Sequence, residues 1–385
     1  MATNNNDKTL NVPPLRFPEL SGEWEEEQLD SIATLSKGIG ISKEQLSEDG
    51  EPCILYGELY TKYKSEIIKQ VESKTDIDCS KLKRSKANDV IIPCSGETAV
   101  DIATARCVPF DNILLGGDLN IISLHKYDGA FMSYQLNGKR KYDIARVAQG
   151  VSVVHLYGEH LKAIKTYNPS LPEQQKIAKL LSLIDERIAT QNKIIEDLKK
   201  LKSAIRKKIF SLLKDEYTKS FEINQLLDYE QPTAYIVAND EYSTDTRLTP
   251  VLTANKGFIL GYTDEKNGIY QKGACIIFDD FTMDAKYVSF PFKVKSSAIK
   301  ILTAKPNVNL RFMFEYLSHW ELKSEEHKRH YISEISPLVI ELPSKEKQNI
   351  IALLMTSLNN KLTIEEKAKI RYEVQKGYLL SQMFI

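Results

Sequence analysis

No stretch of this sequence approaches the roughly 20 apolar residues that a membrane-spanning helix requires. The opening MATNNNDKTLNVPP is polar and has no apolar core of the secretory-signal kind. Neither a helical membrane protein nor a secreted one is expected. Cysteine is sparse: Cys53, Cys79, Cys94, Cys107 and Cys275 form no C-x-x-C pair, and their odd number argues against a disulfide framework. They read as reduced structural thiols of a cytoplasmic protein. A G-x-x-x-x-G-K-[ST] phosphate loop is missing, and so is a G-x-G-x-x-G turn after a strand. Nucleotide hydrolysis, dinucleotide binding and the glycine-rich loops that hold S-adenosylmethionine are therefore not expected. The Asp/Asn-Pro-Pro-aromatic tetrad of adenine methyltransferases is also absent; NPS at Asn168–Ser170 falls short of it. Histidine offers one close group, HKRH at His327–His330, with no acidic or cysteine partner at metal-ligand spacing. Glu326–Lys328 has the E-x-K form of some nucleases but lacks the upstream Pro-Asp partner. No catalytic and no metal site is expected. Charge of one sign is not in excess either: 52 basic residues balance 52 acidic ones. That counts against a stand-alone DNA binder, although local basic patches matter more than the total.

What the sequence does have is a repeat. The stretch SLPEQQKIAKLLSLIDERIATQNKIIEDLKKLKSAIRKKIF (Ser170–Phe210) returns, without a gap and offset by 174 residues, as SKEKQNIIALLMTSLNNKLTIEEKAKIRYEVQKGYLLSQMF (Ser344–Phe384). Pro169 meets Pro343, Gln174 meets Gln348, Lys202 meets Lys376 and Phe210 meets Phe384. Apolar residues recur at alternating steps of four and three in the first copy: Ile177, Leu181, Ile184, Ile188, Ile195, Leu198, Ile205 and Ile209, interrupted by Gln191 and Lys202. This is a coiled-coil seam. The second copy gives Ile351, Met355, Leu358, Leu362, Tyr372, Leu379 and Met383, with Glu365, Lys369 and Lys376 in its middle. Gly377 weakens that helix by about 1 kcal/mol relative to alanine. Each helix would run about 60 Å at ~1.5 Å per residue, longer than a small domain needs for its own core.

The repetition continues outside the helices. WEEEQL (Trp24–Leu29) aligns with FEINQL (Phe221–Leu226), EPCILYG (Glu51–Gly57) with TPVLTAN (Thr249–Asn255), VIIPCSGET (Val90–Thr98) with ACIIFDDFT (Ala274–Thr282), and FMSYQL (Phe131–Leu136) with FMFEYL (Phe312–Leu317). The offset drifts from 181 to 198, so insertions differ while the order of elements persists. Short β-type runs punctuated by Gly, Pro, Asn and Asp fill both halves, with a short helix near each FM motif. The expected fold is α+β: two globular domains of mixed content, residues 1–168 and 214–342, separated by an antiparallel two-helix coiled coil, residues 169–213 and 343–385, in a pseudo-twofold arrangement.

Polar and basic side chains cluster in the segments between these runs. In the first half they are Lys81, Lys83, Arg84 and Lys86, then Glu97 and Thr98, Asp118 and Asn120, and Lys139 and Arg140. In the second half they are Arg247, Asn255, Lys256, Thr282, Lys293, Lys295, Lys328 and Arg329. Lys and Arg neutralise phosphates, while Asn, Arg and Glu read base edges. A single basic loop is more often only a solvated loop. The helices match without gaps while the loops diverge, as expected of two readers of different sequences on one frame.

The segments PPLRFPELSGEWEEEQL (Pro13–Leu29), SLPEQQKIAKLLSLIDERI (Ser170–Ile188) and the echo from Pro343 resemble the specificity subunit of type I restriction–modification systems. The resemblance covers nearly the whole chain. It implies that each domain reads half of a bipartite site in double-stranded DNA and that the coiled coil sets the gap. It further implies that the helices dock two methyltransferase subunits, and that motor-nuclease subunits complete the complex. The chain itself would bind no cofactor, while its partners use S-adenosylmethionine, ATP and magnesium. The polar middle of the second seam departs from a dry interface and suggests contact there with a partner helix or water. Two other readings stay open: a protein-only scaffold with two ligand-binding lobes, and an enzyme in its own right.

Overall fold

The computed structural model describes residues 10–213, 219–253, 257–320 and 329–385. The chain divides into two compact units, residues 1–192 with 367–385, and residues 193–366. This division cuts through both long helices, so each unit owns one end of each.

The first unit begins with strands β1 (Glu25–Gln28) and β2 (Ala33–Lys37), followed by β3 (Glu51–Ile54), β4 (Asp89–Pro93), β5 (Arg106–Val108), β6 (Leu114–Leu115) and β7 (Leu119–Leu124). Helix α1 (Gly129–Asn137) and strand β8 (Lys165–Asn168) lead into the long helix α2 (Leu171–Leu213). The second unit repeats this order with β9 (Lys219–Glu222), β10 (Leu227–Glu230), β11 (Thr249–Leu252), β12 (Cys275–Asp279), β13 (Ala285–Val288), β14 (Lys293–Val294) and β15 (Ile299–Ala304). Helix α3 (Leu310–His319), strand β16 (Val339–Leu342) and the long helix α4 (Lys345–Gln382) complete it.

The pairing is the same in both. An antiparallel sheet has the order β2-β7-β4-β5 in one unit and β10-β15-β12-β13 in the other. A two-stranded ribbon joins β1 to β8, and β9 to β16. A parallel pair links β3 to β6, and β11 to β14. The central strands are rich in isoleucine and buried on both faces; Val90, Ile91, Ile92, Ile121 and Ile122 are fully inaccessible, as are Ile276, Ile277 and Phe278. Continuous β-branched runs of this kind suit a strand covered on both sides. The fold is α+β with a long antiparallel helix pair, as expected.

Register shows where the sequence alignment slipped. The one-turn helix after β1 opens at Leu29 and its counterpart at Ile223, so Leu29 corresponds to Ile223 and not to Leu226. Ile91 lies opposite Ile121 and Ile277 opposite Ile301, which moves the VIIP/CIIF match by two residues. Strand residues alternate faces, so only an even shift could preserve the buried pattern. The FM alignment is correct. Asp128 caps α1 by accepting from Phe131 N at 2.8 Å, and Asn309 caps α3 by accepting from Phe312 N at 3.0 Å.

Both short helices are seated on the long ones by one device. Gln174 Oε1 accepts from Asp128 N at 2.9 Å while its Nε2 donates to Pro169 O at 2.8 Å. Gln348 Oε1 accepts from Asn309 N at 2.8 Å and its Nε2 donates to Pro343 O at 2.9 Å. In the first unit the start of α2 packs against the end of α4: Ile177, Leu181 and Ile184 share a core with Leu379, Met383, Phe384 and Phe131. In the second unit the end of α2 packs against the start of α4, with Phe210, Ile351, Met355 and Phe312 in one core. Lys376 pairs with Asp185 in one unit, and Lys199 with Glu366 in the other. The core contacts join late residues of one helix to early ones of its neighbour, and the Lys199–Glu366 pair joins their middles, so the helices run antiparallel in both.

Candidate nucleic-acid interface

In the first unit the end of β2, the end of β4 and the start of β7 lie at one edge of the sheet, because neighbouring strands are antiparallel. Helix α1 follows the opposite end of β7. The loops at this edge are thus directed away from the glutamine that seats α1. They surround two hollows of about 840 and 780 Å³, which share Tyr56, Gly57 and Thr61. Asp118, Lys43 and Lys62 line the first; Glu97, Ser95, Tyr60 and Lys64 line the second. Asp118 adopts a left-handed backbone, φ 58°, a conformation that short polar residues tolerate in tight turns. Tyr60 donates to Ser95 O at 3.0 Å, and burial holds its hydroxyl well above the usual phenol range.

The corresponding edge of the second unit gathers the end of β12 and the start of β15. Asp279 Oδ1 accepts from Phe281 N at 2.7 Å and Thr282 N at 2.9 Å, which folds the turn and leaves Thr282 exposed. Asp280 N donates to Ala298 O, and His330 N to Asp280 O, so Arg329 and the loop after Lys295 meet at this edge.

Not every candidate side chain stands at these edges or is free to leave the fold. Asn120 is 1 % exposed and donates to Leu156 O at 2.9 Å; it is a core residue, not a base reader. Lys293 is 3 % exposed, held by Glu265 at 2.7 Å and Asn267 O at 2.7 Å, so it too is structural. Arg140 donates to Ile385 O at 3.0 Å, pairs with Asp143 at 3.2 Å and stacks over Tyr167. Its segment is not the basic loop expected, since a helix resumes at Lys141. Arg84 forms a two-point pair with Glu51 at 2.6 and 2.9 Å, which raises the guanidinium pKa and lowers that of the carboxyl. Lys83 shares its short strand with Arg84, opposite Leu115. Thr98 Oγ1 accepts from Asp101 N at 3.1 Å and donates to Asp101 Oδ2 at 2.6 Å, capping a one-turn helix. Arg247 turns onto Asp245. Lys81, Lys86, Lys139, Lys295 and Arg329 are exposed and make no ion pair among the described residues. Asn255, Lys256 and Lys328 lie outside the described residues.

The seam residues form the interior of the helix pair and are not its outer surface. Ile177, Leu181, Ile184, Ile195, Ile351, Met355, Leu362 and Leu379 are buried, and Ile188, Leu198, Ile205, Leu358 and Tyr372 half-buried. What α4 exposes is a different stripe: Ile370, Val374 and Tyr378, four residues apart, are 56, 67 and 59 % exposed, and Ile350 and Leu353 61 and 69 %. The polar residue Lys376 does not reach out to a partner or water as expected. Its ammonium meets Glu66 Oε2 at 2.5 Å and Asp185 Oδ1 at 2.7 Å. Sequence reading missed Asp185, Glu66 and Glu315, all buried. The signal available was Lys202 and Lys376, each a lysine in an apolar seam position that requires a buried acid.

All five cysteines are free, no cluster of metal-binding side chains occurs among the described residues, and none of their helices is long and apolar enough to cross a membrane. A family model for the type I restriction modification DNA specificity domain matches residues 21–200 and again residues 215–374. Among curated proteins the chain is similar to the type I restriction enzyme EcoR124I/EcoR124II specificity subunit of Escherichia coli, 39 % identical over 41 % of this chain and 43 % of that one. It is also similar to the type I restriction enzyme MjaVIII specificity subunit of Methanocaldococcus jannaschii, 30 % identical over 32 % of this chain and 28 % of that one. Both alignments span less than half of the relative's length. Among solved structures, the S subunit of a type I restriction–modification system from M. genitalium superposes with a TM-score of 0.67 at 17 % identity, over 97 % of this chain and 99 % of that one.

Proposed function

The chain belongs to the type I restriction–modification DNA specificity family, and on that premise we propose that it is the DNA-reading subunit of such a complex, each unit reading one half of a bipartite duplex site. The observation that carries this reading is the repeated frame. The same sheet order, the same capped helix and the same glutamine seat recur in both units, while the edge loops differ in length and chemistry. A constant frame with variable loops suits two readers of unlike sequences. Lys81, Lys295 and Arg329 supply phosphate contacts, and the turns around Glu97, Asp118 and Thr282 approach base edges; Lys86 and Lys139, beside the two ends of α1, stand away from that edge. The helix pair, shared by both units, sets the gap between half-sites. The exposed stripe Ile370, Val374 and Tyr378, with Ile350 and Leu353, receives helices of the methyltransferase subunits. Motor-nuclease subunits join that assembly.

Catalysis belongs to the partners on this reading. S-adenosylmethionine, ATP and magnesium are theirs, and the chain is a non-catalytic cytoplasmic component. The balance of 52 basic and 52 acidic residues accords with a phosphate grip shared among subunits. The test is to co-express the chain with a type I methyltransferase subunit and map adenine methylation on a random-sequence plasmid library. A split motif with a fixed unspecified gap is expected. Lys295→Ala with Arg329→Ala should weaken duplex binding across sequences and reduce the salt slope by about one for each phosphate no longer neutralised. Methylation without a split motif, or duplex binding insensitive to salt, would exclude the proposal.

A further inference from the structure

The glutamine seats place α1 and α3 identically on the long helices, yet the buried polar positions they deliver differ. Tyr134 lies six residues beyond the cap Asp128, and Glu315 six beyond the cap Asn309. Asp185 lies eleven residues beyond Gln174, and Asn359 eleven beyond Gln348. These four positions therefore meet in equivalent pairs. In the first unit Tyr134 Oη donates to Asp185 Oδ2 at 2.6 Å, and Lys376 bridges Asp185 and Glu66. In the second, Asn359 Nδ2 donates to Glu315 Oε1 at 3.3 Å, and Arg206 Nη2 donates to Glu315 Oε2 at 2.7 Å. Lys202, equivalent to Lys376, is held below the usual lysine range by burial, with Glu315 opposing that shift. The position equivalent to Arg206 in the repeat is Leu380.

The buried acid has thus changed sides. In the first unit the acid of this pair is carried by the long helix, facing a hydroxyl on the domain, while a second acid, Glu66 of the domain, reaches it only through Lys376. In the second the acid is carried by the domain, facing an amide and a guanidinium on the long helices. We propose that these two nodes are addresses that match each recognition domain to its own end of the helix pair. Seating the second domain at the first end would press Glu315 against Asp185 in a buried site. Seating the first domain at the second end would set Arg206 against the Tyr134 hydroxyl, with no carboxylate from α1. Lys376 would stay beside both carboxylates in the first case, and Glu66 would travel with its domain to face Lys202 in the second, so the exchange is opposed by direct contact between two buried carboxylates and by an Arg206 without the Glu315 that pairs with it. The inference concerns domain placement and stands whether or not the domains read DNA.

A double-substitution cycle in the full chain tests it. Trp320→Phe is introduced first, so that Trp24 fluorescence reports the first unit during urea unfolding. Tyr134→Glu should lower the midpoint by about 1 M or more, because two carboxylates then meet. Adding Asp185→Asn should recover most of that deficit by recreating the Glu/Asn pair of the other unit. Deficits that merely add would overturn the proposal. The second arm exchanges residues 25–168 and 219–342 between positions. It is run with native helices and with Asp185→Asn, Leu380→Arg, Asn359→Asp and Arg206→Leu. Folding only with the exchanged helix residues is expected. Equal folding with native helices, or failure of both chains to fold, would show that these residues are not the address.

Discussion

Replacing Lys376 by methionine keeps an apolar stem of similar length and removes one ammonium from a closed polar cluster. Lys376 is 15 % exposed, and the acids it bridges, Glu66 and Asp185, are 9 and 7 % exposed. Arg106 is the other cation near them, but its guanidinium is turned to Tyr63 O and Ala105 O. Removing one partner from a buried charged cluster costs about 3–5 kcal/mol. With a urea dependence near 3 kcal/mol per M, the midpoint should fall by about 1–2 M. The deficit should depend on pH. Burial holds the Glu66 carboxyl above its ordinary range, Asp185 adds to that, and Lys376 is the strongest influence in the opposite direction. Without Lys376 the folded-state pKa rises further. A carboxyl whose folded pKa is raised contributes stability below its unfolded value and loses it as pH rises through the folded value. The deficit should therefore be larger at pH 8 than at pH 5. The assay is urea unfolding at both pH values, read through Trp24 in a Trp320→Phe background. An unchanged midpoint, or the same deficit at both pH values, would refute the reasoning. Adding Glu66→Gln and Asp185→Asn should return much of the stability, because a neutral cluster leaves no stranded charge.

Three further outcomes concern other parts of the molecule. Glu173 is 2 % exposed at its side chain and accepts from Arg16 Nε and Nη2 at 2.7 Å and from Trp24 Nε1 at 3.3 Å; Glu173→Gln should cost about 3 kcal/mol in the same urea assay, and no change would deny that the segment before β1 braces the start of α2. Burial pushes the thiols of Cys53 and Cys94 up to about 11 and those of Cys107 and Cys275 up to about 12. At pH 8 a disulfide reagent should therefore label the native chain slowly, and rapid labelling of more than Cys79 would contradict the core. Ile370→Glu with Val374→Glu, on the exposed stripe of α4, should leave the unfolding free energy within about 0.5 kcal/mol and abolish co-purification with a methyltransferase subunit; retained co-purification would move the docking face elsewhere.

Much of the frame was legible because it is written in periodicity. The seam of α2 declared itself through Ile177, Leu181, Ile184 and Ile195, and the gapless match to Ile351 and Met355 located α4. Strands such as Asp89–Pro93 and Ile299–Ala304 were visible as β-branched runs between turns. The ribbon strand Glu25–Gln28 was not, because three of its residues are exposed and charged or polar; its pairing with Lys165–Asn168 is fixed by partners about 140 residues away. The recognition surface was the least legible part. Arg84, Arg140 and Lys293 carry the same charge as Lys81, Lys139 and Lys295, and only the positions of Glu51, Ile385 and Glu265 show which side chains the fold has used.

The contrast between gapless helices and drifting loops has a mechanical cause in the seats and nodes. Gln174 fixes where α1 begins, and Asp185 must then lie three helical turns further on to meet Tyr134. One residue inserted between them would rotate Asp185 by about 100° and carry it away from Tyr134, Ser65 and Lys376 together. The same holds between Gln348 and Asn359, where Glu315 waits. The edge loops meet no such constraint. They leave the sheet at the end remote from the seat, so a change of length there does not disturb the glutamine contacts; the exception is the segment after Lys64, where Ser65 and Glu66 are tied to Asp185 and Lys376. Selection for new surfaces at the edge is therefore uncoupled from the packing that holds each domain on its helices, which is why length varies in the loops and not in the stretch from seat to node.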